Sequence, residues 1–263
     1  MAEAAPGGGW LARILAAKRE ELEALQTPLP ALGFEPRPIE LKREPGQPLR
    51  LIAEIKRRSP SAGDLSTRLT VAERARSYER GGASLVSILT DASFFAGSYS
   101  HLTEARRGCS LPLLCKDFVL NEAQLDAARA FGADAVLLIV RCLEPDRVAA
   151  LAAEARARKL EPLVEVTTER EAELALAAGA RLIGVNARDL DTLVMNADRA
   201  ARVLAALSAD VTAVFLSGLG AAEDVARVAR SRADAALIGE ALMRQADPEP
   251  LLRSMSEAAR TGA

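Results

Sequence analysis

The sequence predicts an α/β protein built as a single (β/α)8 (TIM) barrel with an extra helix at its N-terminal side. Three observations lead there. The chain has 263 residues, and about 250 is typical of one such barrel. Short continuous apolar runs, as expected for parallel strands covered on both faces, alternate with helical patterns along most of its length. Four returns from helix to strand nearly superimpose: GGASLVSIL from Gly81, GADAVLLIV from Gly132, GARLIGVN from Gly179 and RADAALIG from Arg232. A unit repeating at about 20–35 residues marks a repeat-built fold.

The elements follow in order. From Trp10 to Leu25, WLARILAAKREELEAL places apolar residues at helical spacing with Glu and Lys/Arg interleaved opposite, which predicts an amphipathic helix. Thr27 to Leu49 carries several prolines and little periodicity, so it reads as a connector. Residues 1–48 are therefore read as an N-terminal helix and connector, ahead of a barrel spanning 49–263. The eight strands are read as Leu51–Ile55, Leu85–Leu89, Leu113–Cys115, Ala135–Ile139, Leu163–Val166, Leu182–Val185, Thr212–Phe215 and Ala235–Ile238. The clear helices between them are Val71–Arg80, Glu122–Ala130, Pro145–Lys159, Glu169–Ala178, Ala197–Leu207 and Ala221–Arg230, with a last one over Pro248–Ala259. Three of the four returns carry glycine where a helix C-cap is expected. An open doubly wound sheet is the competing architecture, but no G-x-G-x-x-G opens an early helix.

Composition narrows the function. Hydrophobic residues make up 49% and charged residues 27%, as in an ordinary globular protein. A net charge of −2 and 3% aromatics argue against nucleic-acid binding. No apolar run is long enough to cross a bilayer. The N-terminal MAEAAPGGG has no charged and apolar regions of a signal peptide, and Cys109, Cys115 and Cys142 lack paired spacing, so reduced thiols and a cytoplasmic location are expected. His101 is the single histidine, which argues against a His-rich metal site or a Ser-His-Asp triad. Only five of the 34 basic residues are lysine: Lys18, Lys42, Lys56, Lys116 and Lys159. A lysine at the end of an apolar strand therefore stands out.

In a parallel barrel the C-terminal strand ends share one mouth, where active sites lie. Those ends carry Glu54 and Lys56, two apart and so on one face; Lys116, Asp117 and Phe118; Glu165; Asn186 and Arg188; Ser217 and Gly218; and Gly239 and Glu240. Desolvation can bring a lysine's pKa towards neutrality, and carboxylates and ammonium groups around one pocket can divide acid and base roles. A structural ion-pair network is the plainer alternative for any one of them. The glycines after strands seven and eight let backbone N–H groups approach an anion, which predicts a phosphate seat; tight βα turns alone would also need them. Other residues receive plain readings. Strand alternation points Cys115 outward into packing, His101 falls on the surface, Phe94 and Phe95 either roof the mouth or pack in the core, and the Glu/Arg-rich helix faces are solvated.

The strand ends resemble the indole-3-glycerol-phosphate synthase family. The most specific block is LIAEIKRRSPSAGDL, Leu51 to Leu65; SILTDASFFAGS, PLLCKDFVLNEAQL, LVEV, LIGVNARDL and ALIGEALMR support it, and ILAAKREEL is similar to the family's extra helix. The resemblance implies ring closure of 1-(2-carboxyphenylamino)-1-deoxyribulose 5-phosphate with loss of carbon dioxide and water, and no cofactor or metal. It implies Lys116 as the acid that polarises the ketone, Glu165 as the base in dehydration, and Lys56 as a phosphate holder and second proton donor. Glu54 and Asn186 would position the reacting centre. Ser59 and Arg188 would lie near the anthranilate carboxylate, Phe118 against the aromatic ring, and Ser217, Gly218, Gly239 and the Glu240 N–H around the phosphate. A monomer is the implied state, open to transient contact with other tryptophan-pathway enzymes.

One departure bears on activity. The family usually reads S-E-S-G after strand seven; here Leu216 replaces the glutamate in Phe215-Leu216-Ser217-Gly218. A slower enzyme or shifted substrate binding is expected. Ala187 and Thr167 are smaller departures. Two other readings stay open at this point. One is a catalytically impaired paralogue that binds a phosphosugar without turnover, which Leu216 favours. The other is a different phosphosugar barrel enzyme such as phosphoribosylanthranilate isomerase, which the two lysines fit poorly.

Overall fold

The computed structural model describes residues 9–23, 25, 28–60 and 63–261; most of the N-terminal MAEAAPGGG, and Ser61 and Ala62 of the longest motif, lie outside them. Eight parallel strands close into a barrel: β1 (Arg50–Ile55), β2 (Leu85–Leu89), β3 (Leu113–Lys116), β4 (Ala135–Ile139), β5 (Glu161–Val166), β6 (Leu182–Asn186), β7 (Thr212–Leu216) and β8 (Ala235–Ile238). Neighbours in sequence pair throughout, and β1 closes the ring against β8 with Leu51 opposite Ala236. The expected strands are all present, several extended by one or two residues.

The helices are α1 (Trp10–Glu23), α2 (Val71–Arg80), α3 (Ala92–Phe95), α4 (Ser100–Gly108), α5 (Glu122–Ala130), α6 (Pro145–Ala157), α7 (Glu169–Ala177), α8 (Ala197–Ala206), α9 (Ala222–Ala229), α10 (Glu240–Met243) and α11 (Glu249–Thr261). Local chemistry starts several of them. Thr70 with Glu73 and Asn121 with Gln124 form capping boxes on α2 and α5, and the Thr168 hydroxyl accepts the Glu171 N–H at the start of α7. The glycine returns behave as expected: Gly82, Gly132 and Gly179 hold φ of 93°, 100° and 74° just past α2, α5 and α7.

Strand alternation sorts the core into two layers. Leu51, Ala53, Val86, Ile88, Leu113, Cys115, Val136, Leu138, Val164 and Ile183 face the helices. Ile52, Leu85, Leu114, Leu137, Leu163, Leu182, Val214 and Leu237 fill the barrel interior. Cys115 thus faces packing rather than the mouth, and burial pushes its thiol well above the usual range.

The connector after α1 runs past the opposite, N-terminal end of the barrel, where Leu41 joins the interior layer. Two aspartates from the repeated returns tie it down. Asp134 accepts the N–H of Leu113 at 2.8 Å and of Arg37 at 2.7 Å. Asp234 accepts the N–H of Ala213 at 2.8 Å and lies 3.4 Å from the Lys42 ammonium. These two repeats therefore use their aspartate to hold the start of the preceding strand.

Two plain readings need correction. The segment around His101 is the helix α4, and His101 is buried on it, its pKa lowered by desolvation. The Glu/Arg-rich faces are not uniformly solvated: Arg74 is buried and donates to the carbonyl of Leu242 at 3.1 Å, while buried Arg106 pairs with Asp134 at 2.6 Å. These arginines satisfy carbonyls and a carboxylate that would otherwise be buried alone. Among the described residues no helix is long and apolar enough to cross a membrane.

Candidate active site

The inward-facing positions that are apolar in the barrel interior become polar at its C-terminal end. Glu54 lies two residues beyond Ile52, Lys116 two beyond Leu114, Glu165 two beyond Leu163, and Asn186 four beyond Leu182. They line one cavity of about 450 Å³, together with Lys56, Ser59, Phe118, Arg188, Ser217, Gly218, Gly239 and Glu240. Every site residue singled out in the sequence borders that cavity.

Glu54 is the hub. Its Oε1 lies 2.9 Å from the Lys56 ammonium and its Oε2 2.8 Å from that of Lys116, while only 1% of Glu54 is exposed. Burial works to raise its pKa, but the two ammonium groups outweigh that and hold the carboxyl at about 2. Lys116 answers in kind. Burial opposes its charge, yet Glu54 and Glu165 raise its pKa above the ordinary lysine value. The simple expectation that desolvation lowers a strand-end lysine's pKa is thus reversed here: Lys116 is held protonated, ready to donate. Glu165 differs from Glu54. Burial dominates and raises its pKa, although Lys116 and a 2.8 Å hydrogen bond from Asn186 Nδ2 oppose the shift. Two buried carboxylates with pKa values pushed apart around a shared ammonium can divide acid–base work. The Asn186 Oδ1 in turn accepts the Arg188 N–H at 2.9 Å.

The mouth has an anion side and an aromatic side. Ser217 and Gly218 follow β7 with φ of 75° and 83°. That conformation is uncommon for a serine and suits a turn that exposes successive N–H groups. Gly239 follows β8, and a Cβ there would stand 2.5 Å from Glu54 Oε1 and 3.2 Å from the Lys56 ammonium. On the other side Phe118 and Phe95 stand 6.4 Å apart, and Trp10 and Ile14 of α1 join the lining. Of the two phenylalanines, Phe95 borders the cavity, while Phe94 packs edge-on to Trp10 at 6.4 Å.

Sequence reasoning missed the anchor of that roof. Lys18 is 1% exposed and contacts Asp91 at 2.9 Å, Asp117 at 2.7 Å and Glu21 at 2.8 Å. Burial opposes its charge, but Asp117 and Asp91 outweigh burial and raise its pKa. Asp117 in turn accepts the Phe118 N–H and the Thr90 hydroxyl, at 2.8 and 2.7 Å. A signal was present: Leu11, Ile14 and Lys18 share one helical face, so a lysine stands on the apolar stripe.

Leu216 is 1% exposed, belongs to the interior layer and pairs in register with Asn186. A Cβ on Gly184 would lie 2.7 Å from its Cδ1, so the leucine fills space that the glycine leaves. Ala187 and Thr167 are buried beside the site.

Comparisons with known proteins agree with this geometry. The family model described as indole-3-glycerol phosphate synthase matches residues 11–255. Indole-3-glycerol phosphate synthase 2 of Streptomyces coelicolor is 47% identical over 213 residues, which cover 81% of this chain and 82% of the relative. The indole-3-glycerol phosphate synthase of an Exiguobacterium species is 39% identical over 246 residues, covering 94% of this chain and 96% of the relative. Among solved structures, 3-hexulose-6-phosphate synthase from Salmonella typhimurium superposes with a TM-score of 0.65 at 14% identity, covering 82% of this chain and all of that one, which speaks for the barrel alone. By its family model and by relatives that match across most of its length, the chain belongs to the indole-3-glycerol phosphate synthase family.

Proposed function

We infer that the protein closes the indole ring, converting 1-(2-carboxyphenylamino)-1-deoxyribulose 5-phosphate to indole-3-glycerol phosphate, carbon dioxide and water. The observation that carries this reading at the level of the site is Glu54 bridging Lys56 and Lys116 inside a cavity that Glu165 also lines. The reaction needs a proton donor to polarise the ketone while an aromatic carbon attacks it, and the protonated Lys116 ammonium supplies one. Loss of carbon dioxide from the attacked ring position restores aromaticity. Dehydration then needs a base to take a proton, for which Glu165 is suited, and an acid for the departing hydroxide, for which Lys56 is placed. Glu54 keeps Lys116 charged and pairs with Lys56, and Asn186 orients Glu165.

The substrate carries a phosphate and a carboxylate. Among the groups that would meet it, the cavity brings the cations of Lys56, Lys116 and Arg188. Ser217, Gly218, Gly239 and the Glu240 N–H form the phosphate seat, Ser59 and Arg188 receive the anthranilate carboxylate, and Phe118 faces the ring. Of residues 1–48, α1 acts as a cover for the mouth of the barrel domain through Trp10 and Ile14. The same reading places the enzyme in the cytoplasm, with its cysteines as free thiols.

The test is the growth of indole fluorescence after substrate is added. A steady rise is expected; binding without any rise would refute turnover. Two variants refine it. Gly239→Ala places a methyl group against Glu54, so kcat/KM should fall at least about tenfold; a wild-type value would show that Glu54 can move freely. Leu216→Glu introduces a buried carboxylate beside Asn186. It should lower Tm, because the site is apolar, and raise kcat/KM by restoring an acceptor near the lysines. Unchanged kinetics would remove Leu216 as a determinant of rate.

A further inference from the structure

Arg141 is absent from the cavity lining, yet it ties together the loops after β4, β5 and β6, the strands that bring Ile139, Glu165 and Asn186 to the cavity. It sits in the 3-10 turn Val140–Cys142 that follows β4. Its Nε lies 3.3 Å from Glu171 Oε1, and its Nη1 lies 2.9 Å from Asp189 Oδ2 and 3.7 Å from Asp191 Oδ2. Glu171 belongs to the first turn of α7, and its other oxygen accepts the Thr167 N–H at 2.6 Å, immediately after the strand that carries Glu165. Asp189 belongs to the loop after β6. Its Oδ1 accepts the N–H groups of Asp191 and Thr192, at 3.0 and 2.9 Å, and the Thr192 hydroxyl at 3.1 Å.

These contacts close a circuit. From Asp189 the chain leads back one residue to Arg188, whose N–H goes to Asn186, whose amide goes to Glu165. The Arg188 side chain also donates to the Leu193 carbonyl at 3.1 Å. The loop from 188 to 196 contains no buried residue, and Val194 is 62% exposed. Only Leu190 packs, partly buried, against the interior layer, so polar ties carry much of its position. The strongest of them, the Asp189 turn, is held from outside by the Arg141 guanidinium. Burial works to raise the pKa of Asp189, but Arg141 and the backbone N–H groups outweigh it and keep this carboxyl well below its ordinary range.

We propose that Arg141 is a positioning residue for substrate binding, locking the Asp189 turn so that Arg188, Leu190 and Leu193 are presented to the substrate. The inference rests on the synthase reading of the pocket. A planar guanidinium can satisfy carboxylates from two loops at once, whereas an ammonium is a single point charge. Arg141→Met keeps the apolar stem and removes the bridge.

In the full chain, Arg141→Met should raise KM about tenfold and change kcat by less than about threefold, the mark of lost ground-state and transition-state binding together. Arg141→Lys should recover only part of KM. Asp189→Asn should raise KM similarly, and the double variant should be no worse than Asp189→Asn, because the two residues act through one contact. A merely structural role would lower Tm and leave KM and the double-variant coupling untouched. Wild-type KM in Arg141→Met, full recovery with lysine, or additive effects would each overturn the proposal. If Arg141→Met does not fold, Asp189→Asn, which keeps the pair with Glu171, carries the same KM expectation. Absence of product from the wild-type enzyme would instead refute the synthase reading, so the two failures are distinguishable.

Discussion

Lys116→Met should lower kcat by about three orders of magnitude, the range expected when a positioned acid and the charge it places on the developing oxyanion are removed together. The lysine ends β3 with its ammonium 2.8 Å from Glu54, and the field of Glu54 and Glu165 keeps it protonated. Methionine retains the length of the stem but offers no proton and no charge. Glu54 would still have Lys56 at 2.9 Å, so it is not left as a lone buried carboxylate and the barrel should fold. Its pKa should nevertheless rise from about 2, because Lys116 is the largest of the charges that depress it. The measurement is single-turnover formation of the indole product at saturating substrate, with Tm as the folding control. The matching Lys56→Met variant should lose more in KM than Lys116→Met does, since Lys56 borders the phosphate side near Gly239. A Lys116→Met rate within tenfold of wild type would remove this residue as the ketone's acid. An inverted pattern, with the kcat loss in Lys56→Met, would exchange the two roles.

Much of this site was legible in the sequence because a strand has a strict period of two. Once Leu51–Ile55 is read as a strand, Glu54 must face the same side as Ile52, and the mouth of a parallel barrel makes that side the active one. The scarcity of lysine did the rest for Lys116. The repeated glycines worked for a similar reason: a positive φ past a helix is a local demand that few residues other than glycine meet. What escaped was non-local. The helix α4 carries a histidine, two arginines and a glycine within nine residues, a pattern too polar and short to stand out, and it is fixed by tertiary contacts such as Arg106 with Asp134. Lys18 finds Asp91 and Asp117 across 73 and 99 residues of chain, and no local pattern announces such partners. The arginine-rich faces misled in the same way. Arg74 and Arg106 look solvated until the carbonyls and carboxylate they serve are in place. Periodicity reveals which side chains enter the interior; it does not reveal which charges meet there.

Glu165→Gln makes the sharpest separation between a catalytic and a structural carboxylate. Gln is nearly isosteric, and its amide oxygen can still accept the hydrogen bond that Asn186 gives Glu165 at 2.8 Å. It cannot take a proton, so kcat should fall by about 10²–10³-fold. Stability should move the other way. Burial raises the pKa of Glu165 in the fold. A group raised in this manner contributes its stability fully below the unfolded value near 4.3, and that contribution is lost as pH rises through the folded value. At neutral pH the ionised Glu165 therefore costs folding free energy, and the neutral amide removes that cost. Glu165→Gln should accordingly show a higher Tm than wild type at pH 7, with the difference shrinking as the pH is lowered towards 4. The same raised pKa places the acid limb of wild-type kcat above the ordinary glutamate range, since turnover fails as the base becomes protonated. A carboxylate held mainly as a structural partner of Lys116 would behave oppositely: its removal would lower Tm and leave the acid limb in place. A fall in Tm together with an unshifted pH profile would therefore assign Glu165 to the framework and leave the dehydration step without its base.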